Sequence, residues 1–220
     1  MSNELVLLFE VIAVFGLMLL SKKLFGLAGL FAWICLASVI ANIQVSKSID
    51  LFGISAVVGN VMFASVYLAT NLLQECYGKA EAKKGAYLGI ASMVVYIVCT
   101  QLTLFYTPSE IDVSNDAMTV LFSLSFRMCL ASLLMYALSN LLNVTVYAKL
   151  NELTKSKGLW VRSNVSAIFC NCLENYGFAF LAFFGIYPVS DILLIATTGC
   201  VIEIIVTICS TPFVYIGKKL

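Results

Sequence analysis

Long apolar segments dominate the sequence, and each is close to the length of a membrane-spanning helix. A helix needs about 20 mostly apolar residues to cross the hydrocarbon core of a bilayer. The 220 residues contain seven such segments, which are 4–21, 28–46, 54–74, 85–106, 119–148, 163–186 and 190–215. We therefore predict an all-α fold, a polytopic transmembrane helix bundle of seven helices with six as the alternative. Residues 1–220 are expected to form a single integral-membrane domain.

The composition agrees with lipid as the solvent and excludes several function classes. Hydrophobic residues make up 61% of the chain and charged residues 11%, against about 25% charged residues in soluble proteins. A net charge of +1 provides no basic footprint for a nucleic-acid partner. The absence of histidine removes the usual acid–base relays, and no phosphate-binding loop motif occurs. We expect no catalytic residues, no metal site and no cofactor, and hence no enzyme.

The basic residues alternate between successive loops, which predicts an orientation. Lysine and arginine concentrate in cytosolic loops of membrane proteins. Eleven of the thirteen basic residues fall in the first, third and fifth loops or at the C-terminus, and the exceptions are Lys47 and Arg127. The first segment has Glu4 and Glu10 but no basic stretch before it, so we interpret it as a mature helix and not as a signal peptide. We predict a multi-pass plasma or inner membrane protein with its N-terminus outside and its C-terminus in the cytosol.

Polar side chains within the apolar segments are the candidate binding residues. Such groups are costly in lipid and usually face the bundle interior or a cavity. Several are spaced three or four residues apart and so share a helix face, as do Asn140 with Asn143 and Asn171 with Glu174. The predicted substrate-binding set is Asn71, Glu75, Arg127, Tyr136, Asn140, Asn143, Ser166, Asn171 and Glu174.

Two interpretations of these polar residues stay open. Intramembrane asparagine and serine often serve only to hold helices together, and Arg127 and Glu203 are a candidate structural ion pair. A carboxylate in the middle of a helix, such as Glu174, needs either a partner or a function. We predict that Asn140, Asn143, Asn171 and Glu174 meet in one cavity between the fifth and sixth helices. A desolvated carboxylate can also carry a proton, which makes Glu174 and Glu203 the candidate coupling residues.

Four stretches of the sequence carry a family resemblance. The segment Asn71–Gly78 resembles the signature of the queuosine precursor transporter family, also called the vitamin uptake transporter (VUT) family. The patterns from Arg127 to Tyr147, from Trp160 to Glu174 and from Thr211 to Tyr215 resemble three further family motifs in the same order. The chain departs from the family pattern where acidic residues or glutamines are replaced by asparagine, at Asn71, Asn140, Asn143 and Asn171, and where the last-helix lysine is replaced by Glu203.

The resemblance implies import of a 7-deazaguanine base such as preQ0, preQ1 or queuine by alternating access. A carboxylate can accept two hydrogen bonds from the N1–H and N2–H edge of such a base, and Glu174 is the candidate for this role. The alternative is the substrate-binding component of an energy-coupling vitamin transporter. Such components often have a pair of alanines on the first helix as a docking face, and the first helix here contains only Ala13, which argues against this alternative. A homo-oligomer is left open.

Overall fold

The structure is a computed structural model that describes residues 2–123 and 126–220, without the side chains of residues 54, 55 and 126. Its helices are α1 (Asn3–Gln44), α2 (Asn60–Tyr77), α3 (Lys79–Leu104), α4 (Asn115–Phe122), α5 (Phe126–Leu153), α6 (Leu159–Phe183), α7 (Val189–Cys209) and α8 (Thr211–Lys219). The two strands β1 (Ser48–Leu51) and β2 (Ile54–Val57) form an antiparallel hairpin. The predicted all-α membrane bundle is confirmed, with this hairpin as an addition.

The number of helices differs from the prediction of seven spans. Among the described residues, five helices are long and apolar enough to cross a membrane, namely α1, α3, α5, α6 and α7. The first two predicted spans correspond to the two parts of the 42-residue helix α1. The third predicted span corresponds to α2, which has only 18 residues and is not among these five helices.

Helix α1 is broken at Gly26 and folds back on itself. Gly26 has φ 58° and ψ −128°, a conformation that is essentially restricted to glycine. The hydroxyl of Ser21 donates to the carbonyl of Gly29 at 3.0 Å, whereas eight residues of straight helix would separate the two by about 12 Å. The two arms, 3–25 and 27–44, are therefore antiparallel, and each has a length suited to a bilayer. This reversal lies between the first two predicted spans.

Three segment boundaries predicted from the sequence are wrong. Residues 54–57 were predicted to start the third span, but they form β2. The prediction failed because a short apolar segment is compatible with either a strand or a helix. The turn before β2 has positive φ at both Phe52 and Gly53, as two-residue hairpin turns require. The fifth predicted span, 119–148, is divided between α4 and α5, with residues 124–125 outside the described part. The last span is divided between α7 and α8 at Thr211, just before Pro212.

Helix α2 lies at the centre of the bundle. It packs against α1 and α3 on one side and against α5, α6 and α7 on the other. Thirteen of its 18 residues are buried, including the polar residues Ser65, Thr70 and Asn71. Buried polar groups are retained by hydrogen bonds. Thr70 donates to the carbonyl of Val66 in α2 itself, whereas Ser65 accepts from Trp33 of α1 and Asn71 donates to the carbonyl of Ser163 in α6. Helix α2 therefore brings polar residues of several helices together inside the bundle.

Charged residues distinguish the two ends of the bundle. Lys22, Arg162 and Lys218 lie at one end, where Lys22 donates to the carbonyl of Gly217 and Lys218 to the carboxylate of Glu75. We call this the basic end. At the opposite end, the hairpin end, the amide of Asn3 donates to the carbonyl of Asp50 in β1. The loops that the charge pattern assigned to one side of the membrane thus meet at one end of the bundle.

We expect Gly26→Ala to destabilise the folded protein by about 1–3 kcal/mol, because an L side chain is strained at this backbone conformation. Gly16→Ala is the matched control on the same helix, since a Cβ at Gly16 would meet nothing within 4 Å. The control should be neutral or stabilising by up to about 1 kcal/mol. Thermal denaturation in detergent measures both variants, and equal behaviour would contradict the reversal at Gly26.

Candidate functional site

Three layers of polar contacts connect α2, α5 and α6 in the interior of the bundle. Helix α2 contributes Tyr67, Asn71 and Glu75, which are spaced four residues apart and share one face. Helix α5 contributes Ser139, Asn143 and Tyr147 with the same spacing, and α6 contributes Glu174, Ser163 and Arg162. Successive members are four residues, or about 6 Å, apart along α2 and α5, whereas on α6 Arg162 and Ser163 are adjacent and Glu174 lies eleven residues further on. We call this arrangement the polar column.

The first layer, at the basic end, is an ion-pair network around Glu75. Arg162 donates from Nη2 to Oε1 of Glu75 at 2.7 Å and from Nε to Oε2 at 3.1 Å, a forked geometry. Tyr147 donates to the same carboxylate at 2.6 Å, and Lys218 from α8 donates at 2.7 Å. The side chain of Arg162 is 1% exposed and that of Glu75 is 9% exposed. Four helices are thus held together at this end by one carboxylate.

The second layer is a chain of amides that ends on a backbone carbonyl. Asn143 donates from Nδ2 to Oδ1 of Asn71 at 2.9 Å, and Asn71 donates from Nδ2 to the carbonyl of Ser163 at 3.1 Å. A carbonyl can only accept, so the direction of both amides is determined. The remaining oxygen of Asn143 is buried and has no hydrogen-bond partner among the described residues. The layer therefore presents an unused acceptor inside the bundle.

The third layer surrounds Glu174. Oε2 of Glu174 accepts from the hydroxyl of Tyr67 and, at 2.6 Å, from the hydroxyl of Ser139. No described residue donates to Oε1, and no described lysine or arginine forms an ion pair with this carboxylate. Hydroxyl donors that already occupy one oxygen hold the carboxylate in a fixed orientation. Glu174 is therefore a positioned acceptor with one oxygen available to a ligand.

A second polar group lies beside the column, between α6 and α7. The amide of Asn171 donates to the hydroxyl of Thr207 at 3.2 Å, and that of Asn175 donates to Oε2 of Glu203 at 2.7 Å. Glu203 is 6% exposed and forms no ion pair with a described basic residue. Asn171 and Glu174 are three residues apart on α6 and share a face, so this group adjoins the third layer of the polar column.

The predicted site residues are all described, and the structure brings most of them into the interior without joining them in one cluster. Glu174 reaches α5 through Ser139, whereas Asn140 donates to the carbonyl of Tyr136 on its own helix at 2.9 Å. Asn143 contacts Asn71. The four residues predicted to share a cavity between α5 and α6 thus make separate contacts at different depths.

The other predicted residues have different surroundings. Tyr136 is buried and its hydroxyl lies 2.5 Å from that of Ser38 in α1. Ser166 is buried and donates to the carbonyl of Ser163. Arg127 lies near the hairpin end, exposed, and donates to the carbonyls of Leu181 and Phe184 at 2.7 Å. The candidate ion pair of Arg127 with Glu203 is therefore not formed.

Sequence reasoning missed several residues of the column, although a signal for two of them was present. Tyr67 and Ser139 extend the four-residue spacing of Asn71 and Asn143, so their helix faces were predictable. Arg162 was counted with the basic residues of the fifth loop and within the motif from Trp160 to Glu174, but not among the site residues, and it is buried in α6. Its pairing with Glu75 over 87 residues of sequence leaves no local trace. No group of three or more potential metal-ligating residues occurs in the described part of the chain.

Apolar outer faces around a buried column of acceptors and donors define a multi-pass membrane protein suited to a small polar solute. Residues 57–217 match the family model described as "Putative vitamin uptake transporter". The chain is 36% identical over 221 residues to the "Probable queuosine precursor transporter" of Bacillus subtilis (strain 168), covering all of this chain and 96% of that relative. It is 29% identical over 164 residues to the "Queuosine precursor transporter" of Escherichia coli (strain K12), covering 74% of this chain and 69% of the relative.

The chain belongs to the vitamin uptake transporter family, because the family match covers most of its length and the Bacillus subtilis relative is similar from end to end. The resemblance identified from the four sequence motifs is confirmed. The protein is therefore a multi-pass membrane transporter of a small molecule. No solved structure matches this chain.

Proposed function

We propose that this protein imports a queuosine precursor, a 7-deazaguanine base, across the plasma or inner membrane. The names of the two relatives support this substrate. The structural observation that carries the proposal is the carboxylate of Glu174, which is held by Tyr67 and Ser139 inside the bundle and keeps one oxygen open. A base rich in N–H donors is the solute that such an acceptor suits.

The base is recognised by a set of acceptors and not by one carboxylate. Two hydroxyls already bond to Oε2 of Glu174, so a forked contact with N1–H and N2–H is less suitable than one strong bond to Oε1. The unused oxygens of Asn140 and Asn143 supply further acceptors on α5 for the remaining N–H groups. In this proposal Asn71, Asn171, Ser166 and Tyr136 support the site, while Glu75 and Arg127 lie towards the two ends of the pathway.

Transport proceeds by alternating access around this buried region. Glu174 and Glu203 are the proposed coupling residues, since each is an intramembrane carboxylate without a basic partner among the described residues. Either carboxylate can take up a proton when the substrate leaves, which avoids exposing an isolated charge to the apolar interior.

Uptake of labelled preQ0 and preQ1 tests the proposed function. The assay uses cells that lack base synthesis, with unlabelled adenine and guanine as competitors, and proteoliposomes that contain this chain alone. We expect saturable uptake of a deazaguanine that the standard bases inhibit poorly. Uptake that requires an added ATPase complex would support the alternative of an energy-coupling component, and absence of deazaguanine uptake under both conditions would reject the proposal.

The proposed orientation places the C-terminus in the cytosol and the N-terminus outside. We expect a reporter fused after Leu220 to be active only in its cytosolic form, because the loops that carry eleven of the thirteen basic residues share that side. Alkaline phosphatase and a cytosolic fluorescent protein, fused in parallel, make the measurement. Phosphatase activity outside the cell, with no fluorescence from the parallel fusion, would reverse the orientation.

A further inference from the structure

The group between α6 and α7 has more acceptors than the protein itself uses. Glu203 accepts at Oε2 from Asn175, and no described residue donates to its Oε1. The amide of Asn171 donates to Thr207, which leaves its own oxygen buried without a hydrogen-bond partner, and Asn171 is 1% exposed. A buried acceptor without a donor is destabilising. An unused carboxylate oxygen and an orphaned amide oxygen at one interface indicate a missing donor.

The geometry places these acceptors on facing helix surfaces. Asn171 and Asn175 are four residues apart on α6, and Glu203 and Thr207 are four residues apart on α7. Their cross-helix bonds, Asn171 to Thr207 and Asn175 to Glu203, join the two surfaces along one line. Side chains from both helices therefore bound one small region.

Charge indicates what the missing donor is. Glu203 is buried, and every described basic residue that forms an ion pair does so with Glu75 or Glu81. Burying a carboxylate as an anion is costly, and a cation beside it offsets that cost. An ammonium group has three N–H donors and a positive charge, so it satisfies the carboxylate and the amide oxygen together.

We propose that Glu203, Asn171 and Thr207 form a second subsite that binds a protonated amine carried by the transported base. The proposal rests on the proposed function. Asn171 and Glu174 are three residues apart and share a face of α6, and Asn171 bonds to Thr207 of α7, so a base whose ring edge contacts Glu174 lies beside the α6–α7 interface. The aminomethyl group of preQ1 is attached to the five-membered ring, away from the N1–H and N2–H edge, and reaches Glu203. The nitrile of preQ0 has no N–H and no charge to offer there.

The test compares equilibrium binding of preQ1 and preQ0 to the purified parent protein and to Glu203→Gln, which keeps the side-chain size and removes the charge. Binding is measured in place of uptake because Glu203 is also a proposed coupling residue. We expect the apparent affinity for preQ1 to fall about 10- to 100-fold, while that for preQ0 changes less than about 3-fold. Glu203→Asp keeps the charge and should retain most of the preference for preQ1. Glu10→Gln is the matched control, since Glu10 is a partly buried carboxylate on α1, and it should change binding of neither base.

The outcomes separate this subsite from the function itself. If Glu203→Gln loses affinity for both bases equally, or for neither, the proposed subsite is wrong. Uptake by the parent protein would still support the transport function in that case. Absence of parental uptake rejects the proposed function instead. Should Glu203→Gln fail to fold, Thr207→Val keeps the shape of the side chain and removes its hydroxyl. This variant should weaken preQ1 more than preQ0 by about 3- to 10-fold, and an equal effect on both bases would also overturn the subsite.

Discussion

Glu174→Gln should lose about 2–4 kcal/mol of substrate binding in a folded protein, which corresponds to a decrease in affinity of roughly 30- to 1,000-fold. The glutamine oxygen can still accept from Tyr67 and Ser139, which hold Oε2 in the parent. Its NH2 group then occupies the position of the open oxygen and faces an N–H donor of the base. One charge-assisted hydrogen bond is lost and two donors are brought together.

Concentration-dependent uptake of a labelled deazaguanine, with expression and monodispersity checked, measures this loss. Glu174→Asp keeps the carboxylate, and we expect a milder effect because both oxygens can still accept hydrogen bonds. Glu10→Gln is a carboxylate-to-amide exchange on α1 and serves as the control that should change little. A folded Glu174→Gln protein that transports as well as the parent would show that Glu174 does not contact the base, and its role would be to bind Tyr67 and Ser139.

Glu75→Ala should lower the free energy of unfolding by about 3–5 kcal/mol, the loss found when one partner of a buried ion pair is removed. Arg162 is 1% exposed and would remain charged without its carboxylate. Tyr147 and Lys218 would lose the same acceptor, so contacts between α2, α5, α6 and α8 would weaken together. The midpoint of thermal denaturation in detergent measures the effect.

The controls for this experiment come from the same chain. Glu81 pairs with Lys84 on the surface of α3, with 64% of the lysine side chain exposed, so Glu81→Ala should cost about 0–1 kcal/mol. Removing both buried charges in Glu75→Ala with Arg162→Met should recover much of the loss, because no unpaired charge then remains in the interior. Similar denaturation midpoints for Glu75→Ala and Glu81→Ala would contradict a stabilising role of the first layer.

The sequence predicted the class of fold because hydropathy and helix length are local properties. Segments 28–46 and 163–186 match the second part of α1 and α6 to within a few residues, and the basic loops meet at one end of the bundle. Local rules failed where two structures suit the same residues. Residues 54–57 are apolar enough for a span but form a strand, because the positive φ angles of Phe52 and Gly53 start a hairpin there.

The candidate site was predictable in part. Helical spacing identified the shared face of Asn71 and Glu75, and both belong to the polar column. The same spacing did not show that Ser139, and not Asn140, faces Glu174 across α5 and α6, because the rotation of one helix against another is set by packing. It also gave Arg127 a place in the site, whereas the structure leaves this side chain at the hairpin end.

Residue type and spacing along the chain were sufficient to establish a membrane bundle with polar residues in its interior and carboxylates that need partners. The partners themselves are far apart in sequence: Arg162 meets Glu75 across 87 residues, and Tyr67 meets Glu174 across 107. Such contacts depend on how the neighbouring helices pack around α2. Helical periodicity predicts which residues share a face of one helix, but not which residues of another helix that face contacts. Which acceptors are satisfied and which remain open for a ligand is therefore a property of the assembled bundle.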